Sequence, residues 1–209
     1  MSITEMLVAM TVLGLFLALS AFLVGPLLRA PNQHQVKVDT IETAADGVYR
    51  LQQSLRNSNE GGIYTCSAGS PVTCTALPSS FTSISAVAIC SPLTGGNGAA
   101  SVDSTTFAVK WQGLKVFWLA GNTTGGNDLR ESFQAITAST SLPTAAQAQT
   151  AVTAALASTN YLVAAPNVQT LSVNGNSATH VIGLKMVAKS TLGGRWNSTS
   201  YESDTYARN

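Results

Sequence analysis

The hydrophobic and polar positions change their pattern along the chain, and the first pattern is a long apolar run. Residues 6–28 include no charged side chain, and Leu, Val, Ala, Phe and Met dominate among them. As an α-helix rising about 1.5 Å per residue, this run spans about 35 Å, enough to cross a hydrocarbon core of about 30 Å. It is too long for the apolar core of a signal peptide, and no basic region precedes it. The pattern predicts a retained apolar helix over residues 1–28.

A second, amphipathic pattern follows Arg29. Apolar residues recur at three- and four-residue spacing, with Val48, Leu51 and Leu55 as its last members, and charged residues take the other positions. This period predicts that the helix continues to about residue 57, with its apolar stripe against the rest of the protein. The first structural region is therefore 1–57. A kink or interruption is expected near Gly25-Pro26 or Ala30-Pro31, because proline lacks a backbone donor.

The third pattern is β-like and covers a predicted head, residues 58–209. Short runs rich in β-branched and aromatic residues alternate with Gly, Asn, Pro and Ser. They predict strands at 63–66, 72–77, 84–90, 106–111, 115–119, 168–173 and 180–188. Asn174-Gly175 indicates a tight turn after the sixth of these. The Ala- and Gln-rich segment 143–158 predicts a short helix, with a mobile loop as its alternative. The fold class expected is α+β, a long helix packed on an antiparallel sheet.

Composition argues against nucleic acid and against catalysis. The net charge is +1 and only 10% of residues are charged, so a partner held through its phosphates is improbable. No phosphate-binding glycine loop or nucleophile motif occurs. Neither histidine, His34 or His180, lies near the cysteines in sequence, which disfavours zinc. We therefore expect no enzymatic activity, no catalytic or metal residues and no cofactor.

The three cysteines are Cys66, Cys74 and Cys90. An odd number leaves at least one thiol unpaired. Cys66 and Cys74 flank a loop rich in turn residues between two predicted strands, which favours a disulfide between them. The alternatives are a Cys74–Cys90 bond and three free thiols.

Glu5 is the one charged residue before Arg29. A carboxylate beside an apolar span is costly unless a partner meets it. The segment Met1-Ser-Ile-Thr-Glu5-Met-Leu-Val-Ala-Met-Thr-Val-Leu-Gly14 resembles the mature N-terminus of bacterial type IV pilins and type II secretion pseudopilins. The order of elements after it resembles, more loosely, minor pilins of the PilW type.

The resemblance implies how the N-terminus is processed and used. A prepilin peptidase would generate Met1 as the first residue and methylate its amine, which would pair with Glu5 of a neighbouring subunit in a filament. Because mispairing would leave a buried charge unmatched, this pair would set the axial register of the subunits. Gly14, with Gly25, Pro26 and Pro31, would provide helix flexibility.

The function implied is that of a structural protomer of a type IV pilus-like filament. Its partners would be copies of itself or other pilins, the prepilin peptidase, an inner-membrane assembly platform and, before assembly, the lipid bilayer. Its expected location is the bacterial inner membrane and then an extracellular or periplasmic filament. Two alternatives stay open: a minor pseudopilin that primes or tips a short filament in secretion or DNA uptake, and a membrane-anchored adhesin that does not polymerise.

Overall fold

A computed structural model describes residues 3–123, 125–176, 180–192 and 195–206. Within these ranges the side chains of residues 5, 23, 25–37, 40, 176 and 190–197 lie outside the description. The chain divides into two compact units, Met1–Asp39 and Thr40–Asn209.

Helix α1 covers Ile3–Arg56. Its helical backbone runs through Gly25, Pro26 and Pro31, so the interruption expected at these residues does not occur in the structure. The helix is followed by a single 3₁₀ turn, Glu60–Gly62. The Asn59 side chain caps this turn by accepting a hydrogen bond from the Gly61 N–H.

Helix α2, Ala145–Ala157, lies within the segment for which the sequence predicts a short helix. A capping box fixes its start: the Thr144 hydroxyl accepts from the Gln147 N–H, and the Gln147 side chain accepts from the Thr144 N–H. Because alanine and glutamine favour helices, the cap and the composition agree. Ala148, Ala151 and Val152 form part of its buried face.

In the described part of the second unit, nine strands form one antiparallel sheet. They are β1 (Ile63–Ser67), β2 (Thr73–Ala76), β3 (Thr82–Ile84), β4 (Ala86–Ser91), β5 (Trp111–Gly121), β6 (Asn127–Ser139), β7 (Leu162–Asn176), β8 (Val181–Leu192) and β9 (Arg195–Tyr206). Eight follow one another in the order β2-β1-β4-β5-β6-β7-β8-β9, and β3 pairs with β7. The sheet is curled.

The two faces of the sheet bury two separate cores, because side chains alternate between faces along each strand. On one face Val87, Ile89 and Phe117 pack with Val48 and Leu51 of α1. The other face packs against α2, and this core includes Ala86, Ala88, Val116, Trp118 and Val152. Burying large apolar side chains such as these stabilises the fold by about 1.5–3 kcal/mol each.

The predicted fold class, a pilin-like α+β fold, is wrong. The structure is mostly β, dominated by the curled antiparallel sheet. The physical reason is that strand-forming sequence is longer and more continuous than the pattern indicates. Strands β5 to β9 each run for 11 residues or more.

Several local predictions also need correction. Asn174 and Gly175 lie inside β7, opposite Gly183 and Ile182 of β8, so they form no turn there. Of residues 106–111, only Trp111 enters a strand. The predicted strand 84–90 divides between β3 and β4.

Strand β9, Arg195–Tyr206, is an element that the sequence pattern missed. It contains few apolar residues, because its inward positions are polar. Thr205 is 1% exposed. Its hydroxyl accepts from Arg56 Nε at 3.3 Å, and the Ser203 hydroxyl accepts from the Gln52 amide. These hydrogen bonds take the place of apolar burial. The sequence of β9 therefore lacks the alternation of apolar and polar residues that would predict a strand.

Candidate functional site

The most distinctive surface is the apolar part of α1 in the first unit. A helix that is apolar on all sides is normally buried against something. Here Ile3 is 84% exposed and Phe22 78% exposed. The other large exposed apolar residues described in this stretch are Met6, Leu7, Val8, Met10, Val12, Leu13, Leu15, Phe16, Leu17, Leu19 and Val24. We call residues 3–24 the apolar segment; an exposed apolar surface of this extent marks an interaction site.

Two hydroxyl groups of the apolar segment are satisfied within the helix. The Thr11 hydroxyl donates to the Val8 carbonyl at 2.8 Å, and the Ser20 hydroxyl donates to the Phe16 carbonyl at the same distance. These hydroxyls donate to carbonyls of the preceding turn and do not depend on water. Both would therefore keep a hydrogen-bond partner if this helix were buried against another surface.

The predicted membrane location is not supported by the structure. Among the residues that the structure describes, no helix combines the length and the apolar character that crossing a membrane requires. The predicted insertion into the inner membrane through the N-terminal helix is therefore wrong.

The residues predicted for assembly lie partly outside the description. Met1 is outside the described ranges, and so is the side chain of Glu5, although its backbone belongs to α1. Their charge pair stays a prediction. Gly14 lies within the apolar segment, and a Cβ added there would meet no atom within 4 Å. Gly25 and the two prolines belong to the helical backbone, with their surroundings undescribed.

The predicted disulfide is confirmed. Cys66 and Cys74 are bonded and stand directly opposite each other in the β1–β2 ladder, with their Cα atoms 4.2 Å apart. Closing a loop of this length stabilises the fold by about 2–3 kcal/mol, chiefly by restricting the unfolded chain. The alternatives with a Cys74–Cys90 bond or three free thiols are excluded.

Cys90 is a free thiol in the core. Burial raises the pKa of the Cys90 thiol, against hydrogen bonds that act in the other direction. Its Sγ lies 2.9 Å from the Ser58 hydroxyl. Because the thiolate is the nucleophile, a buried thiol with a raised pKa is a structural group rather than a reactive one.

An almost buried ion pair lies on the face of the sheet that packs against α1. Lys115 Nζ is 2.7 Å from Glu131 Oε1, and the two side chains are 12% and 7% exposed. Lys115 Nζ also donates to Asn97 Oδ1 at 3.2 Å. No residue pattern links these three positions, which explains why sequence reasoning missed them.

A loop held by hydrogen bonds to Asp103 presents an exposed aromatic residue between β4 and β5. Asp103 accepts three hydrogen bonds at Oδ1, from the Thr105 N–H, the Thr106 N–H and the Thr106 hydroxyl, and pairs with Lys110 at 2.9 Å. Lys110, and then these bonds, hold the pKa of Asp103 well below its usual range. The stabilisation is present above the ordinary pKa of Asp and is lost as the pH falls through the lowered value. Phe107, in the same loop, has a φ of 55° and is 82% exposed.

Comparison with known proteins gives no relative: no family model, no curated protein and no solved structure matches the chain. Within the described ranges, no group of three or more His, Cys, Asp or Glu side chains could hold a metal ion.

Proposed function

We propose that this chain is a structural subunit that polymerises through its apolar segment into a type IV pilus-like filament. The observation that carries the proposal is the apolar side chains exposed on all sides of α1 from Ile3 to Val24. A single neighbour can cover one side of a helix, whereas several copies arranged around it can cover every side. A helical filament supplies such neighbours.

The charge distribution in the sequence supports copies of the same chain as the partners. Glu5 is the one charged residue before Arg29, so a packed bundle of these helices contains one carboxylate per subunit in an apolar surrounding. A buried carboxylate needs a cation, and the N-terminal sequence pattern supplies a candidate in the α-amino group of an adjacent subunit. In this proposal apolar contact provides adhesion and the charge pair provides register.

Polymerisation is tested by placing a charge in the apolar segment. Phe16→Lys puts an ammonium group on a helix surface that the filament would bury, and an unpaired buried charge costs several kcal/mol. We expect the sedimentable fraction of the full chain, measured after detergent is removed by dialysis, to fall about tenfold or more.

The matched control is Tyr49→Lys. Tyr49 is an exposed aromatic residue of the same helix, but it belongs to the second unit. This variant should sediment like the unmodified chain. Equal sedimentation of all three proteins, or equal loss in both variants, contradicts assembly through the apolar segment.

A further inference from the structure

A polar cavity of about 330 Å³ lies in the second unit, between the last turns of α1, strands β4 and β5 and the loop that follows β4. Polar side chains from all of these elements line it: Arg50, Gln53, Asn57, Ser91, Asn97 and Lys115. The filament proposal uses none of them. Since small-molecule sites have volumes of about 300–1,000 Å³, this cavity suits a ligand of one ring.

The lining is rich in hydrogen-bond donors and carries positive charge. Among the described lining residues, Arg50 and Lys115 are the cationic side chains, and no Asp or Glu lines the cavity with them. Within the described part of the chain the Arg50 guanidinium has no hydrogen-bond or ion-pair partner. A guanidinium presents a planar fork of N–H groups that matches a carboxylate in two parallel bonds.

Lys115 is held in a fixed position at the cavity wall. Its ammonium group has three N–H donors, and among the described residues its acceptors are Glu131 at 2.7 Å and Asn97 at 3.2 Å. One N–H therefore stays available to a ligand, and little side-chain entropy is lost when it is used, because the side chain is already ordered.

Glu131 pairs with Lys115 but does not itself line the cavity. Its Oε1 bonds to Lys115, while its buried Oε2 meets no donor in the described part of the chain. Carboxamides at Gln53, Asn57 and Asn97 can both donate and accept.

We propose that the cavity binds a small acidic sugar: a single-ring polyhydroxy molecule with one carboxylate. The carboxylate lies against Arg50 and Lys115, and the hydroxyls exchange hydrogen bonds with the carboxamides and Ser91. A neutral sugar lacks the group that Arg50 would pair with, and a simple carboxylate or inorganic phosphate lacks the ring of hydroxyls. The site is separate from the apolar segment and does not depend on filament formation.

Calorimetric titration of the full chain in mild detergent tests the assignment, with D-glucuronate as the probe and D-glucose, acetate and inorganic phosphate as comparisons. D-Glucuronate should bind at least about tenfold more tightly than each comparison molecule, since a charge-assisted hydrogen bond and a set of hydroxyl bonds each contribute on that scale. Glucose binding equally well, or phosphate or acetate binding better, overturns the proposal, as does the absence of binding to D-glucuronate.

Two variants and a control locate the site. Arg50→Gln and Asn97→Ala should each weaken D-glucuronate binding, the first by about tenfold or more. Arg56→Gln removes the same charge from the same helix, but Arg56 does not line the cavity and bonds instead to Thr205. Binding that survives in both cavity variants, or that falls equally in Arg56→Gln, places the ligand elsewhere and overturns the assignment.

Discussion

Glu5→Ala abolishes or strongly reduces incorporation of the chain into filaments while the second unit stays folded. The side chains of the apolar segment attract one another with little dependence on register, so packed helices can slide by one turn at small cost. A charge pair depends on position. Removing Glu5 leaves the cation of the neighbouring subunit buried and unmatched, at a cost of about 3–5 kcal/mol for a fully buried pair.

The matched control for this change is Glu42→Ala, because Glu42 is an exposed carboxylate of the same helix within the second unit. Both variants and the unmodified chain are compared by the yield of filaments recovered by shearing and by the unfolding transition of the full chain. Glu5→Ala should lower the yield about tenfold or more without moving the transition. Incorporation at the unmodified level would falsify the charge-pair mechanism.

Gly62→Ala strongly destabilises the second unit. Gly62 ends the 3₁₀ turn after α1 and is buried. A Cβ at this position would lie 2.1 Å from Cys90 Sγ and 2.9 Å from Cys90 Cβ, far inside the contact distance of two heavy atoms. Because Cys90 is buried and cannot rotate away freely, the backbone has to move. Overpacking of this kind costs about 1–3 kcal/mol, and more where the surroundings do not yield.

Two further variants separate this collision from a general effect of alanine. Cys90→Ala removes the sulfur atom, so the double variant with Gly62→Ala should lose less stability than the two single changes predict together. Gly121→Ala adds the same methyl group at a position with nothing within 4 Å, and should change stability by less than about 0.5 kcal/mol. The readout is the denaturant midpoint of the full chain. A Gly62→Ala midpoint equal to that of Gly121→Ala contradicts the predicted collision.

Local chemistry made some elements predictable from the sequence. The segment around Thr144 combines a cap residue with Ala-rich sequence, and α2 forms there. Cys66 and Cys74 flank turn residues between two β-prone runs, and they meet across a hairpin. In each case the residues that determine the element are close in sequence, so contacts with distant residues do not change the local preference.

Other features depend on residues that are distant in sequence. Ser203 and Thr205 become inward positions of β9 because Gln52 and Arg56 of α1 bond to them. Gly175 looks like a turn residue, yet its strand continues because β8 pairs with it. The cavity likewise joins residues from α1, β4 and β5, and no motif connects them. The mostly β fold class follows from such long-range pairing, which is why the local pattern gave the wrong class.

Electron microscopy of filaments isolated from cells that make this chain, with mass spectrometry of the subunits, tests the central proposal most directly. The account predicts thin helical filaments in which this chain is a stoichiometric subunit and its apolar segment forms the buried core. Filaments that lack the chain, or a chain recovered only as dispersed particles of single-subunit size, contradict it.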